Sequence, residues 1–244
     1  MSELDNKIEQ LQSIISSSNN IVFFTGAGVS TESGIKDFRS KDGLYAEKFK
    51  YDPEYIISHD FFFTHTNEFY EFYKAKMMAI NALPNAAHKY LYELEKTHRL
   101  KCVITQNIDG LHQLAGNRNV IELHGSIHRN YCLNCHKAFD AKYILNSPGI
   151  PICDECSSLI KPDVVLYQEP LNEDNIVKAI NYIENAEVLI VAGTSLVVYP
   201  ANSFVNYFKG KYLVLINKDT TMLDDKADLV IHSKIGEICS RLKP

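Results

Sequence analysis

No uninterrupted apolar run in the 244 residues is long enough to cross a membrane. The first residues, Met-Ser-Glu-Leu-Asp, carry neither a basic start nor an apolar stretch behind it, so no secretion signal is expected. A basic excess is missing too: 25 Lys and Arg stand against 30 Asp and Glu, for a formal net charge of −5. That balance gives no electrostatic footprint for nucleic acid or an anionic membrane, while a basic substrate would be tolerated. There is no internal repeat and no low-complexity linker. These absences leave a cytoplasmic globular protein, expected to be a monomer. Its 45% hydrophobic content suffices for one α/β domain and a smaller satellite. In that compartment six cysteines read as thiols or metal ligands rather than disulfides.

What is present is organised around one turn. The strand-like run Ile21-Val22-Phe23-Phe24 is broken by Gly26-Ala27-Gly28. A strand feeding Gly-x-Gly lets the backbone approach a diphosphate, and a helix following it would aim free N–H groups at the negative charge. The third glycine of the dinucleotide fingerprint is missing, because Thr31 occupies its place. Asp37, Phe38 and Arg39 follow in a polar loop and put an acid, a ring and a guanidinium near the same diphosphate.

Leu4, Ile8, Leu11, Ile14 and Ile15 recur at helical spacing, which predicts a helix packed on a sheet. Residues 51–78 are dense in aromatics and predict a core-facing helix pair, with some rings available to line a cleft. Pro84-Asn85 opens a helix over 86–94, in which His88 is read as a packed or capping histidine. Val103-Ile104-Thr105 is a buried strand that delivers Gln106-Asn107-Ile108-Asp109-Gly110-Leu111-His112 at its carboxyl end, where ligands bind in an open parallel sheet. Asp109 or Asn107 is equally placed to cap a helix start. Val120 to Leu123 delivers His124-Gly125-Ser126 in the same way, and Val188 to Ala192 ends in Gly193-Thr194-Ser195. Tyr212 to Ile216 ends in Asn217, and Leu229 to Ile231 closes the set. Four or five strands alternating with helices imply a doubly wound sheet.

The composition changes between Tyr131 and Ile160. Cys132-x-x-Cys135 and Cys153-x-x-Cys156, separated by 17 residues, match a tetrahedral four-thiolate zinc site. Four thiolates leave no open position, so the ion is expected to be structural. His136 is not needed as a ligand, and Cys102 and Cys239 read as buried thiols.

Gly26-Ala27-Gly28-x-Ser30, Ser33-Gly34-Ile35, Asp37-Phe38-Arg39, Thr105 to His112, His124-Gly125, the two Cys-x-x-Cys pairs and Gly193-Thr194-Ser195 together resemble the sirtuin family of NAD-dependent protein deacylases. The resemblance implies a Rossmann-like domain from residues 1–44, 86–124 and 162–244. It also implies a small domain made of a helical module, 45–85, and a zinc ribbon, 125–161. It implies NAD as co-substrate, one structural zinc, and an acyl-lysine peptide added as a strand between 165–170 and 196–200. In that chemistry the acyl oxygen attacks the nicotinamide ribose, nicotinamide leaves, and His124 is the general base, with Asn107 and Asp109 in the catalytic set. Gly26, Ala27, Gly28, Thr31, Asp37, Phe38, Arg39, Gln106, Asn107, Ile108, Asp109, His124, Thr194, Ser195, Asn217 and Ile235 would contact the dinucleotide.

Two positions depart from the family. Lys36 replaces the proline that precedes Asp-Phe-Arg, which frees the backbone and adds a charge. Tyr167-Gln168-Glu169 stands where Phe-Gly-Glu is usual, so Gln168 is expected to narrow or repartner the peptide groove. The Tyr-x-x-Arg pair of succinyl-preferring members is absent: Tyr70 to Tyr73 aligns without gaps and offers no arginine, and a three-residue shift would give Tyr73 and Lys76. A neutral acyl group such as acetyl is therefore expected. The alternatives are an ADP-ribosyltransferase and an inactive NAD-binding interaction module, with a hydride-transfer dehydrogenase a poorer third.

Overall fold

The structure, a computed structural model, describes residues 2–244. Its strands in chain order are β1 (Ile21–Thr25), β2 (Leu100–Thr105), β3 (Val120–Glu122), β4 (Gly125–Cys132), β5 (Ala138–Phe139), β6 (Ile160–Val164), β7 (Val188–Ala192), β8 (Tyr212–Ile216) and β9 (Leu229–Ile231). Six of them form one sheet in the order β3-β2-β1-β7-β8-β9, all parallel. The expected count of four or five strands is thus one or two short.

The sheet is built by alternation. Ile21 and Phe23 of β1, with Val188, Ile190 and Ala192 of β7, face a cluster shared with the helices Glu3–Ser16 and Ala86–Lys96. Val22, Phe24, Leu189 and Val191 face the opposite cluster, shared with the helix Glu173–Asn185. Successive side chains point to opposite faces of a strand, and both faces here are covered, so every residue of β1 and β7 is buried. The first helix begins where expected, since Ser2 accepts from the Asp5 amide 3.1 Å away and Asp5 reaches back to the Ser2 amide. The helix over 86–96 starts on Asn85, whose side chain accepts from the Ala87 amide, and His88 completes the cap by accepting from the Asn85 amide. His88 is therefore both buried and capping.

A second, smaller sheet has the order β5-β4-β6 and is antiparallel. Because β6 pairs along β4, the expected boundary at 161/162 lies inside one ladder of this sheet. Residues 51–78 do not form a helix pair. They make three short helices, Pro53–Ile56, His59–Thr64 and Thr66–Phe72, continued by a π-helical turn over Tyr73–Met77. Asp52 and Ser58 each accept hydrogen bonds from amides of the following turn and so start separate helices. Their rings join the zinc-ribbon residues in one cluster that includes Phe61, Phe62, Tyr73, Cys132 and Ile160.

In the large sheet the chain goes from β1 to β2 on one side and later places β7 on the other. The carboxyl ends of β1 and β7 therefore flank a topological switch point.

Candidate active site

The first feature of the switch point is a close backbone approach. A Cβ on Gly28 would lie 2.8 Å from the Gly193 carbonyl oxygen, and Gly193, at φ +60°, would put a Cβ 2.5 Å from the Val29 amide. The two glycine turns are pressed together, and the Gly28 amide donates to the Gly193 carbonyl at 2.8 Å. The helix expected after Gly-x-Gly is not there: two single 3₁₀ turns, Ala27–Val29 and Thr31–Ser33, take its place. Thr31 turns its hydroxyl back to the Gly28 carbonyl at 2.9 Å, consistent with the absence of the third glycine that a packed helix would use.

A cavity of about 740 Å³ opens at these carboxyl ends, between the large sheet and the small module. All residues assigned from the sequence to the dinucleotide line it, from Gly26 through Asp37 to Arg39, Gln106 to Asp109, His124, Thr194, Ser195, Asn217 and Ile235. Several are already committed to protein partners. Asp37 caps its own loop by accepting from the Ser40 amide, and Asn217 donates to the Asp219 carbonyl. The Arg39 guanidinium donates to Glu54 at 2.8 Å and to the Tyr167 hydroxyl at 2.9 Å. Gln106 donates to the Thr194 hydroxyl at 3.0 Å and so joins the ends of β2 and β7.

Behind Ile108 lies a buried polar chain. Asn107 donates to the Ser30 hydroxyl at 3.0 Å, and Ser30 donates to Asp109 at 2.6 Å. The second oxygen of Asp109 accepts from the Leu111 amide, so the capping and the site readings of this residue both hold. Ser30, 1% exposed, is the residue that sequence reading left without a role. Its signal was a hydroxyl two positions after the Gly-x-Gly turn.

His124 follows β3 after one residue, Leu123. Its Nδ1 lies 2.9 Å from the Gln106 carbonyl. A carbonyl only accepts, so Nδ1 carries the hydrogen and Nε2 keeps its lone pair. Burial lowers the His124 pKa below the usual histidine value, and the Gln106 hydrogen bond offsets this only in part. The ring is thus a neutral base at neutral pH. Gly125 is needed beside it, since at φ +75° a Cβ would strike the Asp163 carbonyl at 1.9 Å.

At two side chains the structure decides between alternatives that the sequence left open. Gln168 lines the cavity, but its side-chain amide is partnered by Asp60. It sits at φ +74°, a conformation that favours glycine, and is clamped there by Asp60, whose amide donates to Oε1 at 3.0 Å and whose carboxylate accepts from Nε2 at 2.9 Å. Tyr70, the residue reached by gapless alignment, is buried with its hydroxyl on the Ile160 carbonyl, whereas Tyr73 and Lys76 line the cavity. The shifted register is therefore the one that faces the site. Lys76 is paired with Glu47, which also holds Lys36 at 2.8 Å.

The four cysteine sulfurs lie within 4.8 Å of one another, with Cys132 to Cys156 at 3.3 Å and Cys135 to Cys153 at 3.6 Å. Zinc bound to four thiolates at about 2.3 Å holds its sulfurs about 3.8 Å apart, so this donor set fits the ion. Both knuckles share one geometry: His136 and Ser157, each following the second cysteine of its pair, have φ of +59° and +57°.

Comparison with known proteins agrees with this site. The sequence pattern of the Sir2 family matches residues 26–200. The chain is 59% identical over 233 residues to an NAD-dependent protein deacetylase of Clostridium tetani, covering 94% of each. It is 55% identical over 242 residues to one of Clostridium perfringens, covering 98% of this chain and 99% of that one. Among solved structures, a Sir2 complex with a p53 peptide and NAD+ superposes with a TM-score of 0.85 at 39% identity, and Sir2Tm bound to a propionylated peptide with 0.86 at 38%. Each comparison covers 96% of both chains. With the switch-point cavity, the neutral histidine and the four-thiol cluster in one chain of this similarity, the protein belongs to the Sir2 family.

Proposed function

We propose that this protein removes acyl groups, acetyl first among them, from lysine side chains of proteins in an NAD-dependent reaction. The observation that carries the reading is His124, a half-buried imidazole whose Nδ1 is held by the Gln106 carbonyl and whose Nε2 is left to accept, in the same cavity as the Ser30, Asn107 and Asp109 chain. When bound, NAD supplies an electrophilic ribose carbon and a nicotinamide leaving group. Nε2 of His124 accepts the proton of a ribose hydroxyl as that oxygen becomes the nucleophile. Asn107 and Asp109, oriented through Ser30, hold the ribose and carboxamide end, and Ile108 keeps water from it. The glycine turns at 26–28 and 193–195 take the diphosphate, with Arg39 as the cation of that region.

The acyl-lysine runs along Phe38, Val165 and His124, and its peptide adds between 165–170 and 196–200. Cys132, Cys135, Cys153 and Cys156 hold one zinc ion whose role is to fold the ribbon. In this reading 1–44, 86–124 and 162–244 serve as the nucleotide domain, with 45–85 and 125–161 as the small domain, which the last three residues of β6, 162–164, join through the small sheet. The protein works as a cytoplasmic monomer without nucleic acid or membrane; among the described residues no helix is long and apolar enough to cross a membrane.

The test is to incubate the protein with NAD and an acetyl-lysine peptide, following peptide mass and nicotinamide together. Loss of the acetyl mass only with NAD, and not in His124→Ala, supports the reading. Gain of ADP-ribose mass on peptide or protein would replace it with a transferase.

A further inference from the structure

Tyr167 sits at the junction of the cofactor loop, the helical module and the segment assigned to the peptide. Both of its main-chain groups are paired: the Tyr167 amide donates to the Ile57 carbonyl at 3.0 Å, and its carbonyl accepts from the His59 amide at 2.9 Å. The next residue is locked to Asp60, as described above. Two residues on, the Glu169 carboxylate accepts from the Leu166 amide and from Lys161, each at 2.9 Å. The Tyr167 hydroxyl is therefore a fixed point on the cavity wall.

The loop opposite it is held largely by its own turns, through Leu44 to Asp37 at 2.7 Å and Tyr45 to Phe38 at 2.8 Å along the backbone. Those bonds shape the loop and leave the long Arg39 side chain undetermined. Arg39 is oriented from outside. Its guanidinium donates to the Tyr167 hydroxyl, lies 5.3 Å from the centre of the Tyr45 ring, and the Tyr45 and Tyr167 hydroxyls are 3.3 Å apart. Glu54 also accepts from it, but Glu54 is half-exposed and opposes the positive charge. A neutral hydroxyl orients the cation without cancelling the charge an anion would need.

We propose that Tyr167 is a positioning residue for the nucleotide: its hydroxyl presets the Arg39 guanidinium for the diphosphate, so the segment that receives the peptide also sets the cofactor loop. The proposal rests on the reading of the cavity as the NAD site. Arginine loses substantial rotamer freedom when fixed, and a side chain fixed beforehand does not lose it on binding.

The experiment is calorimetric titration of the zinc-loaded protein with ADP-ribose, comparing wild type, Tyr167→Phe, Arg39→Ala and the double variant. Phenylalanine keeps the ring and removes only the hydroxyl. The Kd is expected to rise about 5-fold in Tyr167→Phe, the scale of one ordinary net hydrogen bond, with the melting temperature unchanged. In the Arg39→Ala background the same substitution should change Kd less than about 2-fold, because nothing remains to be positioned. An unchanged Kd, a tighter one, or an equal effect in both backgrounds overturns the proposal. If wild type binds neither ADP-ribose nor NAD, the reading of the cavity fails with it; if wild type binds and Tyr167→Phe is silent, the positioning role alone fails.

Discussion

The two halves that meet at the cavity are held together by different physics. The large sheet is a conventional aliphatic core: its central strands are buried at every residue and its two faces are covered by helices of 11 to 14 residues. The small module has a three-stranded sheet and α-helices of only four to seven residues. Helices that short do not persist alone. They are held by an aromatic cluster in which Phe62 meets Phe69 edge to face at 4.9 Å, and which incorporates Cys132 and Cys153 directly. Metal ligands inside a core make that core conditional on the metal.

The strongest way to break the comparison is therefore to remove the ion. Cys132→Ser, or chelation of the wild type, should remove on the order of 10 kcal/mol of binding free energy that the ribbon uses to fold. Amide exchange is expected to rise across 125–164 and through the three short helices, while β1 and β7 stay protected. Equal deprotection of both halves would mean that they share one cooperative unit and that the contrast is wrong.

His124 probes the other side of the cavity. Its main chain belongs to the end of the large sheet, although the His124 carbonyl accepts from the Val165 amide. His124→Ala should lower kcat by about 10²- to 10⁴-fold, the usual contribution of a general base. ADP-ribose affinity and zinc content should hold. In the wild type, burial depresses the pKa, so activity should persist at neutral pH and fall only as pH drops below the ordinary histidine range. A rate rising as pH falls through that range would contradict a neutral base.

The large domain has its own weakness, in acid. His88 and His112 are both buried with ring centres 4.8 Å apart, and His88 Nε2 and His112 Nδ1 have no hydrogen-bond partner. Burial depresses both pKa values, that of His88 to about 4. A depressed histidine takes up a proton in the unfolded state before the folded one, so stability is lost as pH falls from about 6.5 toward 4. His88→Leu should flatten the urea midpoint over that window, whatever its effect at pH 7. An unchanged slope would place the acid sensitivity elsewhere, with His112 and then the thiolates of the small module as the first candidates.

This asymmetry also explains what was legible in the sequence. Strands buried on both faces appear as aliphatic runs, and their carboxyl ends carry the polar residues, so the sheet and the cavity lining could be read along the chain. The Cys-x-x-Cys pairs were equally plain, because a metal site fixes local spacing. The small module was harder. Aromatics such as Phe61, Phe62 and Phe69 show burial without a period, and its helices are set by single caps at Asp52 and Ser58. Nor could the sequence show that Gln168 would hold a left-handed conformation by pairing with Asp60, or that Ser30 would bridge Asn107 and Asp109, since each is a contact between distant segments.

The smallest expected effect concerns the acyl group and lies wholly on the small-module wall. Tyr73 and Lys76 line the cavity, and the Tyr73 hydroxyl is buried without a partner. A tyrosine hydroxyl and an ammonium are suited to an acyl carboxylate, which would argue for succinyl. Lys76, however, already has a carboxylate: Glu47 lies 2.5 Å away and is shared with Lys36. The charge an acidic acyl group would seek is thus answered from within the protein, and acetyl is expected to be the better substrate. Glu47→Gln removes that internal partner without removing Lys76. Partly exposed ion pairs are worth up to about 1 kcal/mol, so the succinyl-to-acetyl ratio of kcat/KM should rise about 3-fold, with acetyl turnover nearly unchanged. If the ratio does not move, Lys76 does not face the acyl chain, and any neutral preference must come from the depth of the cavity instead.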